Sequence, residues 1–557
     1  MRNARHASRV LPDRHVTKSA LVPNRPVDEW WQSAVLYQIY PRSFRDTTAN
    51  GVGDLGGVVE KLDYLAGTLG VDAIWLSPFY PSPMADFGYD VSDYCDVDPL
   101  FGDLETFDRL VARAHGAGLK VIIDFVPNHT SDRHAWFVAS RSSRDDPRRH
   151  WYVWRDPAPD GSPPNNWLSV FGGSAWELDH RTGQYYLHSF LKQQPDLNWR
   201  HEAVRSAMLD NMRFWLDRGV DGFRLDAVLF MMKDPAERDN PPNSAKARQA
   251  HKLLGAYDAQ LHVHDQGHPD LHRVFRDVRA LLQQYEPPRM ALAEMHVYDW
   301  KRLGSYYGEQ LDELSMPTNF GLLNTPWTSA GVRAVVDGFE AAIPPGAWPN
   351  YVLGTHDDQR LATRLGDHGS RQAAVLLLTL RGSPTLYYGD ELGMREAEIP
   401  ADRRQDPWST AEPGLSRDGC RTPMPWSAER GAGFTSAREP WLPIGSDHTT
   451  RNVQSQLADP DSLLNLYRRL LAMRRLSAAL RKGAYRPVDP APADAFVFQR
   501  ANGAERVLVA INFSEGPLAV DLAGFAGQIV VSTHRAREGG EVAGGLRLVA
   551  HEAVVVV

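Results

Sequence analysis

From Trp30 onward, the chain alternates short apolar runs with segments of helical periodicity. Eight runs have the length and composition of strands: "AVLYQIY" (34–40), "AIWLSP" (73–78), "KVIIDFV" (120–126), "GFRLD" (222–226), "ALAEM" (291–295), "DELSM" (312–316), "YVLGT" (351–355) and "SPTLYYG" (383–389). Between them, apolar residues recur every three or four positions, as Val204, Met208, Met212 and Trp215 do in "EAVRSAMLDNMRFWLDRG". Eight strand-helix units predict an α/β fold, a (β/α)8 TIM barrel with its active site at the carboxyl ends of the strands.

Two regions interrupt this rhythm and divide the chain. Residues 131–199 are dense in Trp, Pro, Asn and Gly and are too long for an ordinary loop after strand 3, so they predict an inserted subdomain beside the barrel mouth. Residues 476–557 contain short β-rich runs separated by turn residues, which predict a C-terminal antiparallel β-sandwich. The barrel then comprises 30–130 and 200–475, and residues 1–29, rich in Arg and Pro, are expected to form a loose tail.

Composition narrows the class of protein. The chain has 43% hydrophobic and 23% charged residues, which is typical of globular proteins. Its formal net charge of −8 disfavours nucleic-acid binding, which calls for an excess of positive charge. No apolar run of about 18 residues occurs, so no membrane span is expected. The two cysteines, Cys95 and Cys420, suit a reducing compartment and predict a cytoplasmic protein, although a bridge between them stays open. The oligomeric state is left open.

Charged and polar residues cluster where the predicted barrel strands end. They are Asp124, Asn128 and His129 after strand 3, Arg224 and Asp226 after strand 4, Glu294 after strand 5, and His356, Asp357 and Asp358 after strand 7. Each alone is compatible with a helix cap or a satisfied core group. Together they are costly to bury for structure alone, so they indicate a site for carboxylate chemistry.

Paired carboxylates are the tools of glycoside cleavage, in which one acid attacks the anomeric carbon and the other protonates the leaving oxygen. Arg224 lies two residues before Asp226 on the same strand face, so we expect it to lower the pKa of Asp226 and keep that acid ionised. Glu294 follows the apolar run "MALA" and precedes Met295, so we expect desolvation to raise its pKa and keep its proton.

Ten ordered stretches between residues 37 and 426 carry a resemblance that runs from about residue 30 to the end of the chain: "YQIYPRSF", "GVGDLGG", "IWLSPFYPSPMADFGYDVSDY", "DFVPNHTSDRHAWF", "QPDLNWR", "DGFRLDA", "AEM", "HDDQR", "GSPTLYYGDELGM" and "RTPMPW". In these stretches the sequence resembles the alpha-amylase family of glycoside hydrolases, family thirteen. Within that family it is similar to the branch of oligo-1,6-glucosidases, alpha-glucosidases and dextran glucosidases.

The resemblance implies a role for each matching residue. Asp226 would be the covalent nucleophile, Glu294 the acid/base, and Asp357 the acid that holds sugar hydroxyls near the transition state. The residues implied to bind sugar are His129, Arg224 and His356 around the reacting glucose, Asp86, Tyr89 and Arg421 around the terminal glucose, and Phe171 and Phe190 as aromatic walls. The two phenylalanines are equally compatible with a subdomain core. An acid and an arginine at the pocket end would explain exo action.

The residue after the proposed nucleophile bears on linkage. In similar enzymes a small residue there, here Ala227, accompanies alpha-1,4 activity, whereas Val accompanies alpha-1,6 activity. A β-branched side chain would intrude on the +1 sugar of a 1,4-linked substrate. The expected substrates are therefore maltose and malto-oligosaccharides, with sucrose and aryl glucosides as further candidates and transglucosylation as a second outcome.

Two other functions fit the same pattern. One is an isomerase or transglucosylase acting on sucrose, maltose or trehalose with the same site. The other is a non-catalytic binding protein similar to transporter-associated heavy chains. The second is disfavoured because Asp226, Glu294 and Asp357 are all present and no membrane span is found in the sequence.

The loop after the first strand departs from the family pattern. Relatives often carry a metal loop there, and its positions correspond here to Asp46, Thr48, Asn50, Val52 and Asp54 in "DTTANGVGD". Because fewer carboxylates remain, a structural Ca²⁺ or Mg²⁺ ion and a metal-free glycine-rich turn are both open. No cofactor is expected for catalysis.

Overall fold

The computed structural model describes residues 29–244, 254–411 and 413–557. Its strands, in chain order, are β1 (Leu36–Ile39), β2 (Ala73–Leu76), β3 (Lys120–Phe125), β4 (Trp154–Arg155), β5 (Trp176–Asp179), β6 (Gln184–Leu187), β7 (Gly222–Leu225), β8 (Met290–Ala293), β9 (Met316–Asn319), β10 (Asn350–Tyr351), β11 (Thr385–Tyr387), β12 (Ala484–Pro487), β13 (Ala495–Asn502), β14 (Glu505–Asn512), β15 (Leu518–Ser532), β16 (Glu541–Leu548) and β17 (Ala553–Val556). The predicted tail lies outside the described residues except for Glu29.

Eight of these strands form one parallel sheet in the order β10-β9-β8-β7-β3-β2-β1-β11. A parallel bridge between Val352 and Thr385 joins the two edge strands, so the sheet closes into a barrel. The predicted (β/α)8 fold is confirmed. Parallel register aligns the carboxyl ends of all eight strands at one rim, which is where the predicted site residues lie.

The helices alternate with these strands. They are α1 (Pro41–Phe44), α2 (Leu55–Glu60), α3 (Leu104–Gly116), α4 (Ala135–Ser142), α5 (Glu202–Asp217), α6 (Leu271–Leu282), α7 (Trp300–Ser305), α8 (Gly321–Asn324), α9 (Ser329–Ala342), α10 (Leu361–Thr379), α11 (Trp408–Ala411), α12 (Val453–Ala458), α13 (Leu463–Leu476) and α14 (Ala478–Lys482). Val204, Met208, Met212 and Trp215 of α5 are buried as the periodicity predicts. Within the described ranges, no helix is long and apolar enough to cross a membrane.

The apolar run at 312–316 predicts the sixth barrel strand too early. The strand observed there is β9, which begins at Met316, four residues after the start of the predicted run. Pro317 is usually a strand breaker, since it has no N–H to donate. Here β9 pairs with β8 only through Met316 and Pro317, and with β10 through Thr318 and Asn319. The short ladder therefore accommodates a proline that the sequence pattern treats as a boundary.

The insertion after β3 contains its own antiparallel sheet, in the order β4-β6-β5. Asp196 of this region is fully buried and joins it to the barrel. Its carboxylate accepts a hydrogen bond from Asn128 Nδ2 at 3.0 Å and pairs with Lys233 Nζ at 2.7 Å. The charged pair holds the insertion beside the barrel mouth.

The C-terminal region is an antiparallel sheet of six strands, β12-β13-β14-β17-β15-β16. Successive side chains along these strands point to opposite faces of the sheet. Val497, Ala510 and Val554 lie in the region's own core, whereas Phe498 and Val509 lie in the core that is shared with the barrel. Both faces are thus buried over part of the sheet, as period-2 alternation of apolar residues allows. Cys95 and Cys420 are both free thiols.

Candidate active site

A cavity of about 430 Å³ opens at the carboxyl ends of the barrel strands. Nine of the residues predicted from the sequence line it: Asp86, Tyr89, His129, Phe171, Phe190, Asp226, Ala227, Glu294 and Asp357. Arg224 and His356 line a smaller space behind the same acids. The barrel therefore brings together side chains that lie up to 271 positions apart in the chain, from Asp86 to Asp357.

Arg224 is the hub of the catalytic acids. It is buried at the end of β7, and its Nη1 contacts Asp226 Oδ1 at 2.5 Å and Asp124 Oδ1 at 2.9 Å. Its Nη2 contacts Glu294 Oε2 at 3.0 Å. Strand register explains the arrangement, because Asp124 of β3 and Leu292 of β8 flank Arg224 in the sheet. One guanidinium thus spans the two acids that glycoside cleavage requires.

The pKa directions of the two acids differ from the sequence expectation. Burial, together with the neighbouring charges of Glu294, Asp124 and Asp357, raises the pKa of Asp226 well above its usual value despite the opposing effect of Arg224. Glu294 is also desolvated, but Arg224 and His296 outweigh this effect and lower its pKa. The expected order is therefore reversed. The physical reason is that Arg224 contacts both acids, so these carboxylates titrate as one group around a single cation.

Asp357 lies between two arginines and a histidine. Its Oδ1 accepts from Arg421 Nη2 at 2.8 Å and from Arg417 Nη1 at 3.1 Å, and its Oδ2 lies 3.1 Å from His356 Nε2. Asp357 N donates to Thr355 Oγ1 at 3.1 Å, so Thr355 orients this loop. Asp357 is held in a fixed position at the cavity wall.

His356 is fixed on both ring nitrogens. Its Nδ1 lies 2.7 Å from Gln38 Nε2 and its Nε2 lies 2.6 Å from Tyr89 Oη, and the Tyr89 ring stacks on the imidazole at 5.3 Å. Burial lowers the pKa of His356 to about 3 and that of His129 to about 4. Both histidines are therefore neutral at pH 7. His129 lines the cavity, whereas His356 lies behind it with both ring nitrogens bonded to the protein.

The arginine that pairs with Asp86 is Arg417, which the sequence reasoning missed. Arg417 Nη2 contacts Asp86 Oδ1 at 2.7 Å and Asp406 Oδ1 at 2.7 Å. Arg421, expected in this role, is fully buried behind the wall, where its Nε donates to the His356 carbonyl at 2.8 Å. The two arginines lie four residues apart in "SRDGCRTPMPW", and nothing in that stretch distinguishes the one that turns inward.

Both predicted aromatic walls contact the cavity and also pack against other rings. Phe171 lies 4.8 Å from Trp408, and the Arg417 guanidinium lies 5.5 Å from the Phe171 ring. Phe190 lies 5.1 Å from His129. The wall and core interpretations of these phenylalanines therefore both hold, since each ring has one face in the cavity wall and another in packing.

Ala227 follows the proposed nucleophile in a left-handed backbone conformation, with φ 48° and ψ 30°. This conformation directs Ala227 N toward Glu294 Oε2 at 3.2 Å. A β-branched residue disfavours this region of backbone space, so a small side chain suits the position for two reasons, backbone strain and space in the cavity.

The loop at 46–54 is closed by its own hydrogen bonds. Asp46 Oδ1 accepts from Thr48 N and Ala49 N at 2.9 Å, and Asp46 Oδ2 accepts from Gly51 N at 2.9 Å. Asp54 caps α2 by accepting from Gly57 N at 2.7 Å. The oxygens that a metal would need are already acceptors for the loop's own donors. Among the described residues, no cluster of three or more metal-ligating side chains is found.

Comparison with known proteins agrees with this geometry. The family model for the alpha-amylase catalytic domain matches residues 38–483. A probable alpha-glucosidase of Rhizobium meliloti is 45% identical over 513 residues, 90% of this chain and 91% of its own length, and other relatives include oligo-1,6-glucosidases.

Two solved structures share the fold. The alpha-glucosyl transfer enzyme XgtA has a TM-score of 0.89 and 45% identity, covering 95% of this chain and 99% of its own. The trehalulose synthase MutB of Pseudomonas mesoacidophila has a TM-score of 0.86 and 35% identity, covering 95% and 100%. The chain belongs to the alpha-amylase family of glycoside hydrolases, in the branch of alpha-glucosidases and oligo-1,6-glucosidases.

Proposed function

We propose that this glycoside hydrolase is a retaining, exo-acting alpha-glucosidase that releases glucose from the non-reducing ends of short alpha-1,4-glucosides. One observation carries the exo assignment: the Asp86–Arg417 pair, at 2.7 Å, lies at the cavity wall beside Asp357. Asp86 and Arg417 can bind the hydroxyls of a terminal glucose, and a chain that continued past that glucose would meet them.

The retaining mechanism is supported by the closeness of the two acids. Asp226 and Glu294 contact the two terminal nitrogens of the same guanidinium. Retaining enzymes hold their two carboxyl groups roughly 5–5.5 Å apart, whereas inverting enzymes need a wider separation to admit a water molecule. Two carboxylates that share one guanidinium fit the shorter separation better.

The reaction then follows from these positions. Glu294 donates its proton to the glycosidic oxygen as the C1–O bond breaks, and Asp226 forms a bond to C1. Asp357, positioned by the neutral His356, holds hydroxyls of the flattened ring. Water next attacks C1, gives its proton to Glu294 and releases Asp226 as a carboxylate.

The alpha-1,4 preference is supported by Ala227, which lines the cavity next to both acids. Its small side chain leaves room for a +1 sugar, so maltose and malto-oligosaccharides are the proposed substrates and sucrose or aryl glucosides the wider set. We further propose a cytoplasmic location, which the two free cysteines support.

A product assay on maltose, maltotriose, isomaltose, sucrose and trehalose tests the proposal. Glucose should appear from maltose and from the non-reducing end of maltotriose, and Asp226→Asn should abolish turnover while leaving the melting temperature near that of the wild type. Activity retained in Asp226→Asn, or no glucose from any substrate, would contradict it.

Glucosyl transfer is a second candidate, favoured by the apolar side of the cavity. Beyond the acids, the wall includes Val170, Leu229, Phe230, Leu261 and Val263. Such a surface can hold an apolar alcohol that replaces water as the acceptor. Comparing glucose released with glucoside formed, in the presence of added alcohols, separates transfer from hydrolysis. An isomer of sucrose as the main product would support the isomerase alternative instead.

A further inference from the structure

His296 is a neighbour of the acid/base that the mechanism above does not use. It follows β8 by three residues, its side chain is 47% exposed, and its ring stacks on Phe320 at 4.4 Å and 18°. Its Nε2 lies 3.3 Å from Glu294 Oε1. The stacking fixes the plane of the imidazole, so the ring nitrogen is held toward the carboxyl group.

The two oxygens of Glu294 have different partners. Oε2 faces Arg224 Nη2 at 3.0 Å and Ala227 N at 3.2 Å, and both groups are donors that cannot accept a proton. In the part of the chain that the structure describes, the hydrogen-bond partner of Oε1 is His296. An O–H on Oε2 would point at two donors, so the transferable proton belongs on Oε1.

An imidazole suits an oxygen that alternates between two states. A neutral imidazole accepts from an O–H with its bare nitrogen and donates to a carboxylate after a change of tautomer. Arginine, lysine and backbone N–H groups can do only the second. Glu294 passes through both states in each catalytic cycle, first as an acid and then as a base.

We propose, on the basis of the function proposed above, that His296 is a positioning residue that keeps the transferable proton of Glu294 on Oε1 and tunes its acidity. In the first step the proton leaves Oε1 for the glycosidic oxygen. The half-exposed imidazole of His296 then gives its Nδ1 proton to solvent, takes one from solvent at Nε2, and donates that N–H to the new carboxylate. In the second step Oε1 takes a proton from the attacking water. His296 ends each cycle in its starting protonation state.

Other charged groups face the same carboxyl group and set the background. They are Arg224 and Asp226 at the end of β7, Asp124 of β3 and Asp357 after β10. These groups stay in place when His296 is changed. Among the contacts of Glu294, the hydrogen bond from His296 lowers its pKa.

The test is a pair of variants assayed on two substrates across pH. His296→Phe keeps a ring to stack on Phe320 but removes the hydrogen bond, whereas His296→Gln keeps a side chain that donates or accepts. His272→Phe is the matched control, since His272 also contacts a glutamate, Glu313, at 2.7 Å and stacks on Tyr306, away from the cavity.

With maltose, whose leaving group needs protonation, His296→Phe should lower kcat/KM about tenfold or more. The alkaline limb of the pH profile should move upward by about half a pH unit or more, because the pKa of Glu294 rises when its hydrogen bond is lost. With p-nitrophenyl alpha-glucoside, whose leaving group needs little protonation, kcat/KM should fall less than about threefold. His296→Gln should recover most of the maltose activity, and the control should match the wild type.

Equal losses on both substrates with an unmoved pH profile would overturn the proposal and show a structural role for His296. If His296→Phe does not fold, His296→Ala carries the same test at this half-exposed position, because equal losses on both substrates with an unmoved pH profile in that folded variant would also contradict the role of the imidazole. Failure of the proposed function is distinguishable, since the wild type would then release no glucose from either substrate.

Discussion

Arg417→Lys tests the pocket end most sharply, because it keeps the charge and removes the planar fork. Arg417 contacts Asp86, Asp357 and Asp406 at once, at 2.7–3.1 Å. A single ammonium on a flexible stem cannot reproduce those three directions. We expect Asp86 to lose its fixed position, so the terminal glucose is bound less well in the transition state.

The magnitude follows from the hydrogen bond that the terminal glucose would no longer make. A hydrogen bond to a charged group contributes about 1.5–3 kcal/mol, so removing one such bond to the sugar should lower kcat/KM for maltose by about 10- to 150-fold. The fold should tolerate the change, because Asp406 still accepts from the backbone N–H of residue 417 at 2.5 Å and of Trp408 at 3.3 Å.

The assay is kcat/KM on maltose, together with cleavage of a malto-oligosaccharide whose non-reducing end is chemically blocked. The variant should gain measurable cleavage of the blocked chain relative to the wild type. Arg403→Lys is the control, since Arg403 lies in the same long loop but pairs with Glu439 outside the cavity. Wild-type kcat/KM and continued rejection of the blocked chain in Arg417→Lys would refute the reasoning.

Three further predictions follow from other parts of the molecule. Ala227→Val should lower the ratio of maltose to isomaltose activity about tenfold or more, because the larger side chain takes the space of a +1 sugar. It should also lower the melting temperature, because a β-branched residue is strained at φ 48°. An unchanged activity ratio would contradict the linkage argument. Asp221→Asn should lower the free energy of unfolding by about 3–5 kcal/mol, because Asp221 is fully buried and contacts His115 at 2.6 Å, Arg289 at 2.7 Å and Lys120 at 3.0 Å. It should leave kcat unchanged, because Asp221 lies at the opposite end of β7 from the catalytic acids. Denaturant titration measures the stability, and a variant as stable as the wild type would contradict the prediction. Adding Ca²⁺ or a chelator should leave the melting temperature unchanged, because the carboxylates of Asp46 and Asp54 already accept hydrogen bonds from their own loop; a rise with Ca²⁺ would show that the loop opens to bind it.

Local patterning was sufficient to predict most of the fold. The eight barrel strands are short runs whose side chains are buried on both faces, and such runs are visible as continuous apolar stretches. Two strands are exceptions. In β9, Pro317 and Asn319 resemble turn residues, and the strand makes only two pairings on each side. A pattern that penalises proline places that strand too early for that reason. The strand predicted at 351–355 is wrong in its bounds, because β10 covers only Asn350–Tyr351 and a single bridge at Val352 follows it.

The sequence predicted those site residues that directly follow a barrel strand, and it was less successful for site residues in long loops. Asp226, Glu294 and Asp357 follow barrel strands, and strand register brings them together. Arg417 lies in the long loop after β11, where no periodicity indicates which of two nearby arginines turns inward. Three-dimensional contacts decide that choice in favour of Arg417.

The pKa order of the acids was also beyond the sequence. Neighbours along the chain place Arg224 beside Asp226, but the fold places it equally beside Glu294, at 3.0 Å. The acidity of each carboxyl group depends on all the charges that share the guanidinium, and those come from three different strands. Substrate binding changes these contacts, so the working acidities belong to the complex.

The most direct test of the central claim, that Asp226 is the nucleophile of a retaining alpha-glucosidase, is to trap the covalent intermediate. The enzyme would be incubated with a 5-fluoro-alpha-glucosyl fluoride, digested, and its peptides analysed by mass spectrometry. The structure predicts one added fluoroglucosyl group on Asp226. A label on Glu294 or Asp357, or rapid turnover to beta-glucose with no labelled peptide, would contradict the account.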